Sequence, residues 1–151
     1  MNTIKENQQK IILIFVRLAI AIGFLSAVAD RFGFWGNAGE SGVAWGNFES
    51  FEAYVAFLNP YLNLALVPLI SWVVTLLEIG LAVLLIIGLY LRFTALVSAF
   101  LLLSFALSMT LISGVKAPFD YSVFTAASAA ILLYLFLSNE KSLLEKKELK
   151  K

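Results

Sequence analysis

Hydrophobic positions gather in four long runs, Ile11 to Ala29, Leu62 to Tyr90, Phe93 to Ser113 and Tyr121 to Ser138, which only Arg17 and Glu78 interrupt with charge. A helix needs roughly 20 apolar residues to cross a hydrocarbon core of about 30 Å, and lipid offers unpaired backbone groups no partner. The pattern predicts an all-α membrane protein, a four-transmembrane-helix bundle with helices over about 11–31, 62–90, 93–114 and 120–138. A fifth, shorter element is expected in the connection between the first two. From Asn47, an N-cap residue followed by Glu49 in the first turn, Phe48, Phe51, Tyr54, Val55 and Leu58 fall on one helical face and Glu49 and Glu52 on the other. Asn59-Pro60 stops this amphipathic helix. It reads either as a lid over a site between the membrane helices or as a helix lying among lipid headgroups on aromatic anchors.

At 151 residues and 61% hydrophobic, the chain allows one membrane domain, residues 1–138, and a basic tail, 139–151, in which five Lys and three Glu surround Leu143, Leu144 and Leu149. The tail either extends the fourth helix or rests against anionic lipid. Charge distribution orients the bundle. Lys5, Lys10, Arg92, Lys141, Lys146, Lys147, Lys150 and Lys151 fall on one side of four crossings, whereas only Arg31 and Lys116 face the other. The positive-inside rule then puts both termini in the cytoplasm and the connection from Arg31 to Tyr61 outside. A cleaved signal ending near Ala27-Val28-Ala29 is the rival for the first run. Arg17 speaks against it, as does the Ala19, Gly23, Ala27 row, whose spacing suits close helix packing. Ser122, Ala126 and Ala130 form a matching row, so the first and fourth helices are expected to meet along these small faces.

There is no Cys and no His. Thiol chemistry, thiolate ligation and the commonest proton shuttle are excluded for this chain itself, and no metal-ligand spacing, phosphate loop or nucleophile triad appears. Redox or acid/base chemistry must rest on carboxylates, Tyr or a partner. Glu78 is the foremost candidate, because an acid near mid-membrane costs about 2.5–3.5 kcal/mol unless it faces the interior, finds a partner or is protonated. It is read either as half of an ion pair with Arg17 or as a protonatable, ligand-facing group. Asp30, Trp72, Asp120 and Tyr121 share roughly one depth at the outer ends of the helices. They are either caps and interface anchors or the rim of an outward vestibule that narrows toward Glu78, with Thr75, Ser104 and Ser108 along it.

Ala29-Asp30-Arg31-Phe32-Gly33, Trp45-Gly46-Asn47-Phe48, Leu58-Asn59-Pro60, Glu78 with Gly88 and Arg92, and Lys116 through Phe124 carry a resemblance to a bacterial branch of the DoxX family. The resemblance spans roughly Arg17 to Leu137. It implies a multi-pass protein of the bacterial cytoplasmic membrane in a family named for a subunit of a thiosulfate:quinone oxidoreductase. No set of catalytic residues comes with it. Three functions are expected in this order: a membrane subunit of a quinone-linked oxidoreductase without a complete catalytic site of its own, a scaffold or assembly protein for a partner, and a small proton-coupled transporter using Glu78. A bound quinone is the cofactor the first would involve, with nothing attached covalently. The expected partners are the lipid bilayer and a redox protein or a second copy of the chain. Nothing points to nucleic acid.

Overall fold

The computed structural model describes the backbone over residues 2–148 and the side chains over residues 7–139. Every regular element among these is helical: α1 (Asn2–Arg31), α2 (Phe48–Leu58), a 3₁₀ turn (Leu64–Leu66), α3 (Val67–Ile87), α4 (Leu91–Ser113), α5 (Lys116–Asp120) and α6 (Val123–Glu148). Three helical segments are long and apolar enough to cross a membrane, Asn7–Arg31, Leu64–Ile87 and Leu91–Ser113. The apolar part of α6, Val123–Asn139, is shorter. Most of this apolar surface is not covered by protein. Phe15, Leu69, Phe100, Leu107 and Leu132 all stand exposed, as lipid-facing positions must.

Element boundaries follow local chemistry. The run expected to start at Leu62 becomes regular α-helix only at Val67. Asn63 first caps the 3₁₀ turn by accepting from the Ala65 amide at 3.0 Å, and Pro68 sits in the first helical turn, where a missing N–H is harmless. Gly88 ends α3 in the left-handed conformation at φ +87°. The fourth run does not begin at residue 120. Lys116–Asp120 forms its own single turn, and Ser122, at φ +55°, redirects the chain into α6. Backbone helix then continues through the tail to Glu148. The tail's Lys and Glu side chains, with Lys5, lie outside the described side chains.

Two close pairs build the bundle, α1 with α3 and α4 with α6, and lighter contacts of α3 with α4 and α1 with α6 join them. Their shared core joins Ile20, Ala21 and Phe24 to Leu81, Ala82 and Leu85, and Ala95, Ala99 and Leu102 to Ala127, Ala130 and Leu133. The alanines let the backbones approach closely. At this end Arg92 donates to the Ser138 hydroxyl at 3.3 Å, tying the start of α4 to α6. At the other end α2 crosses over α3 and α4, burying Phe51 and Val55 against Val67, Ile70 and Val74. The two ends are called here the core end and the α2 end.

Candidate functional site

The site grows from the last two residues of α1. Asp30 turns its carboxylate to the connection that follows: Oδ2 accepts from the amides of Ala44 at 2.8 Å and Trp45 at 3.3 Å, and Oδ1 from Gly46 at 3.2 Å. Three amides on one carboxylate fold this connection back against the end of α1. Glycine makes the crossing possible. A Cβ on Gly46, at φ +70°, would stand 2.2 Å from the Ala38 nitrogen, and one on Gly33, at φ +75°, would stand 2.9 Å from the Gly46 carbonyl oxygen.

That fold places Trp45 over Arg31. The Arg31 side chain is only 2% exposed, and its guanidinium carbon lies 3.8 Å from the centre of the Phe51 ring and 5.3 Å from that of Trp45. A cation over desolvated aromatic faces gains about 2 kcal/mol. Nη1 donates to the Thr75 hydroxyl at 2.8 Å, and that hydroxyl in turn donates to the Ser71 carbonyl at 2.8 Å. The same nitrogen forms an ion pair with Glu78, itself 2% exposed. Their contact is electrostatic rather than a well-directed hydrogen bond, and the enclosed Arg31 Nε has no acceptor.

The expected partnership of Glu78 with Arg17 is therefore not the one formed. Arg17 serves the end of α3: Nε and Nη2 donate to the Leu85 carbonyl at 3.0 and 2.8 Å, and Nη2 also to Ile86 at 3.2 Å. Side-chain direction explains the exchange. Helical side chains tilt toward their own N-terminus, and α1 and α3 run antiparallel. Arg17 leans to the core end, where the last carbonyls of α3 need donors and the helix dipole favours a cation. Glu78 leans to the α2 end, and Arg31 leans back down α1 to meet it.

Above the shared core, a cavity of about 760 Å³ separates the two helix pairs. Its walls are Ala19, Gly23, Phe24 and Ala27 of α1, Ile70 and Val74 of α3, Leu101, Phe105 and Met109 of α4, and Ala126 of α6, with Trp45, Phe51 and Tyr54 as its roof. Arg31 and Glu78 are its charged lining, and Ser104 and Ser108 add hydroxyls. Both hydroxyls stand where the sequence placed them; Thr75 does not, being buried beneath Arg31. Tyr121 lines the cavity while 66% exposed, which marks a mouth beside the turn into α6. At that mouth, burial and the neighbouring Tyr121 phenol hold the Tyr54 phenol above its ordinary pKa, with Ser113 close enough to oppose the shift. Tyr54 stays a neutral donor at physiological pH.

Of the five residues expected to converge on a vestibule, Glu78 and Tyr121 line the cavity and three do not. Asp30 is spent on loop amides. Trp72, 46% exposed, packs outside against Phe48 at 4.5 Å and Phe32 at 6.1 Å, bracing the start of α2. Asp120 pairs with Lys116 one turn earlier on the exposed face of α5. Arg31 is the charged site residue that the sequence did not single out, whereas Phe51 and Tyr54 belong to the helix read as a possible lid and Trp45 to the motif just before it. Comparison with family models, with curated proteins and with solved structures gives no match.

Proposed function

We propose that the chain is a four-crossing protein of the bacterial cytoplasmic membrane that binds a quinone-type ring compound in this cavity, as the membrane subunit of a quinone-linked oxidoreductase. One observation carries the proposal: a cavity of drug-like size with apolar walls closes on a single buried Arg–Glu pair. Such a pocket suits a lipid-soluble ligand with one or two oxygen acceptors. The Arg31 guanidinium is the donor for a ligand carbonyl, and Glu78 is the group that can hold or release a proton beside it. With no Cys and no His in the chain, a partner protein supplies the electrons. The DoxX resemblance of the Asp30-Arg31 and Trp45-Gly46 segments agrees, since both segments build the pair and its aromatic cover.

In this arrangement Val123–Asn139 is the fourth crossing, the α2 end faces outward and α2 is a roof rather than a headgroup helix. The basic bias supports that orientation, more so because Arg31 is internal and leaves Lys116 as the exposed outer base among the described residues. Native mass spectrometry of gently extracted protein, with an absorption spectrum of the same preparation, tests the proposal. The expected result is co-purified quinone that is lost when Arg31→Leu is combined with Glu78→Gln, a double variant that leaves neither charge buried alone. A quinone-free chain in a stable complex with another protein would favour a scaffold instead.

A further inference from the structure

The row Ala19, Gly23, Ala27 is expected from its spacing to be a helix-packing face, yet all three residues line the cavity. A Cβ built on Gly23 meets no atom within 4 Å. Small residues there do not bring α1 against a neighbour; they leave space. The α1 lining extends from Arg31 to Ala19, about 18 Å of helix rise, and its character changes along the way. At the α2 end stand Arg31, Glu78 and the Tyr54 and Tyr121 phenols, whereas at the inner end Ala19, Ile20, Leu101 and Leu102 present only hydrocarbon. A compact polar solute leaves that inner half unfilled. A molecule with a polar ring and a flexible tail matches both halves.

Building on the proposed quinone-type site, we infer that the inner half of the cavity is a chain-binding channel, with Gly23 as the residue that keeps it open. The ligand is then an amphiphile that carries a hydrocarbon tail, its ring beside Arg31 and its tail along Ala27, Gly23 and Ala19. Affinity comes chiefly from burying that tail, since each methylene removed from water contributes favourably. Discrimination among ligands follows chain length more than ring substitution.

Two probes separate head from tail: a dimethoxybenzoquinone without a side chain and the same ring carrying a decyl chain. Binding is read from quenching of Trp fluorescence in one detergent at fixed micelle concentration, so that partition of the chain into micelles is common to all variants. Gly80 provides the control. It also has open space around its Cβ position but does not line the cavity. The wild type and Gly80→Phe are expected to bind the decyl probe more tightly than the bare ring. In Gly23→Phe the preference for the decyl probe should fall by roughly tenfold, a loss equivalent to about two buried methylenes, with affinity for the bare ring unchanged. Gly23→Leu, a smaller plug, should give an intermediate loss, and thermal unfolding of each variant shows whether it folds. An unchanged preference in folded Gly23→Phe and Gly23→Leu would overturn the channel while leaving the ring site standing. Failure of both probes to bind the wild type would overturn the ring site and the channel together.

Discussion

Arg31 and Glu78 are nearly sealed from solvent, so each depends on the other to avoid standing alone as a buried charge. Removing one partner of such a pair costs about 3–5 kcal/mol, whereas removing both together is far cheaper. Arg31→Leu should therefore be severely destabilising, and Arg31→Leu combined with Glu78→Gln should recover most of the loss. Arg17 sits elsewhere, on the terminal carbonyls of α3, where a cation at a helix end contributes up to about 2 kcal/mol. Unfolding of the single and double variants in mixed micelles tests the assignment. Strong coupling is expected between Arg31 and Glu78, and additivity within about 0.5 kcal/mol between Arg17 and Glu78; the reverse would return the pair to Arg17. The sequence made Glu78 legible because a lone acid among apolar residues must be compensated. It hid the partner, because Arg31 lies at the end of an apolar run and reads as a surface charge until the opposing tilts of two antiparallel helices are considered.

Among the elements, the connection from Phe32 to Asn47 does more than join α1 to α2. It carries Trp45 to the guanidinium, and its path is held by the Asp30 carboxylate and by the backbone crossing at Gly33 and Gly46. Gly46→Ala forces a Cβ into backbone atoms of Asn37 and Ala38, which cannot rotate away as a side chain could. Asp30→Asn keeps the shape but loses the charge that strengthens three hydrogen bonds. Both should loosen the same segment, with a cost of about 1–3 kcal/mol. Hydrogen exchange of the amides of residues 37–47 is the measurement: faster exchange there is expected in both variants, with α4 and α6 unchanged. Unaltered exchange in Gly46→Ala would mean that the crossing is not needed to hold the connection. Asn47 was identifiable as a cap, and Trp45-Gly46 stood out as part of the family resemblance. What could not be read was that Asp30 faces this loop rather than a cavity, since three hydrogen bonds to residues some fifteen positions away leave no periodic trace. The apolar runs behaved oppositely. Their positions were legible because lipid demands continuous hydrophobicity, and only their ends moved: α1 starts at Asn2 rather than near residue 11, a 3₁₀ turn precedes α3, and the separate turn α5 precedes α6.

For the whole molecule, the shortest of the four long apolar segments is that of α6, which spans Val123–Asn139, about 25 Å of rise against a core of about 30 Å. A deficit of that size is absorbed by local thinning or by flanking residues that snorkel, at fractions of a kcal/mol per Å. Packing supports the proposed fourth crossing. α6 lies along α4 more extensively than any other helices pair, and α4 is long enough to span, so α6 shares its depth along most of its length. Ala127, Ala130 and Leu133 sit in the common core with α1 and α3, leaving Leu132 and Leu135 for lipid. Both ends of the chain should then lie on one side and the connection before α2 on the other. In intact cells, a membrane-impermeant maleimide should label Ser41→Cys directly, whereas Ser142→Cys should react only after permeabilisation. The chain has no cysteine of its own to confuse the result. Labelling of both positions in intact cells would mean that α6 turns back without crossing, which would expose the core alanines and dismantle the wall that closes the cavity.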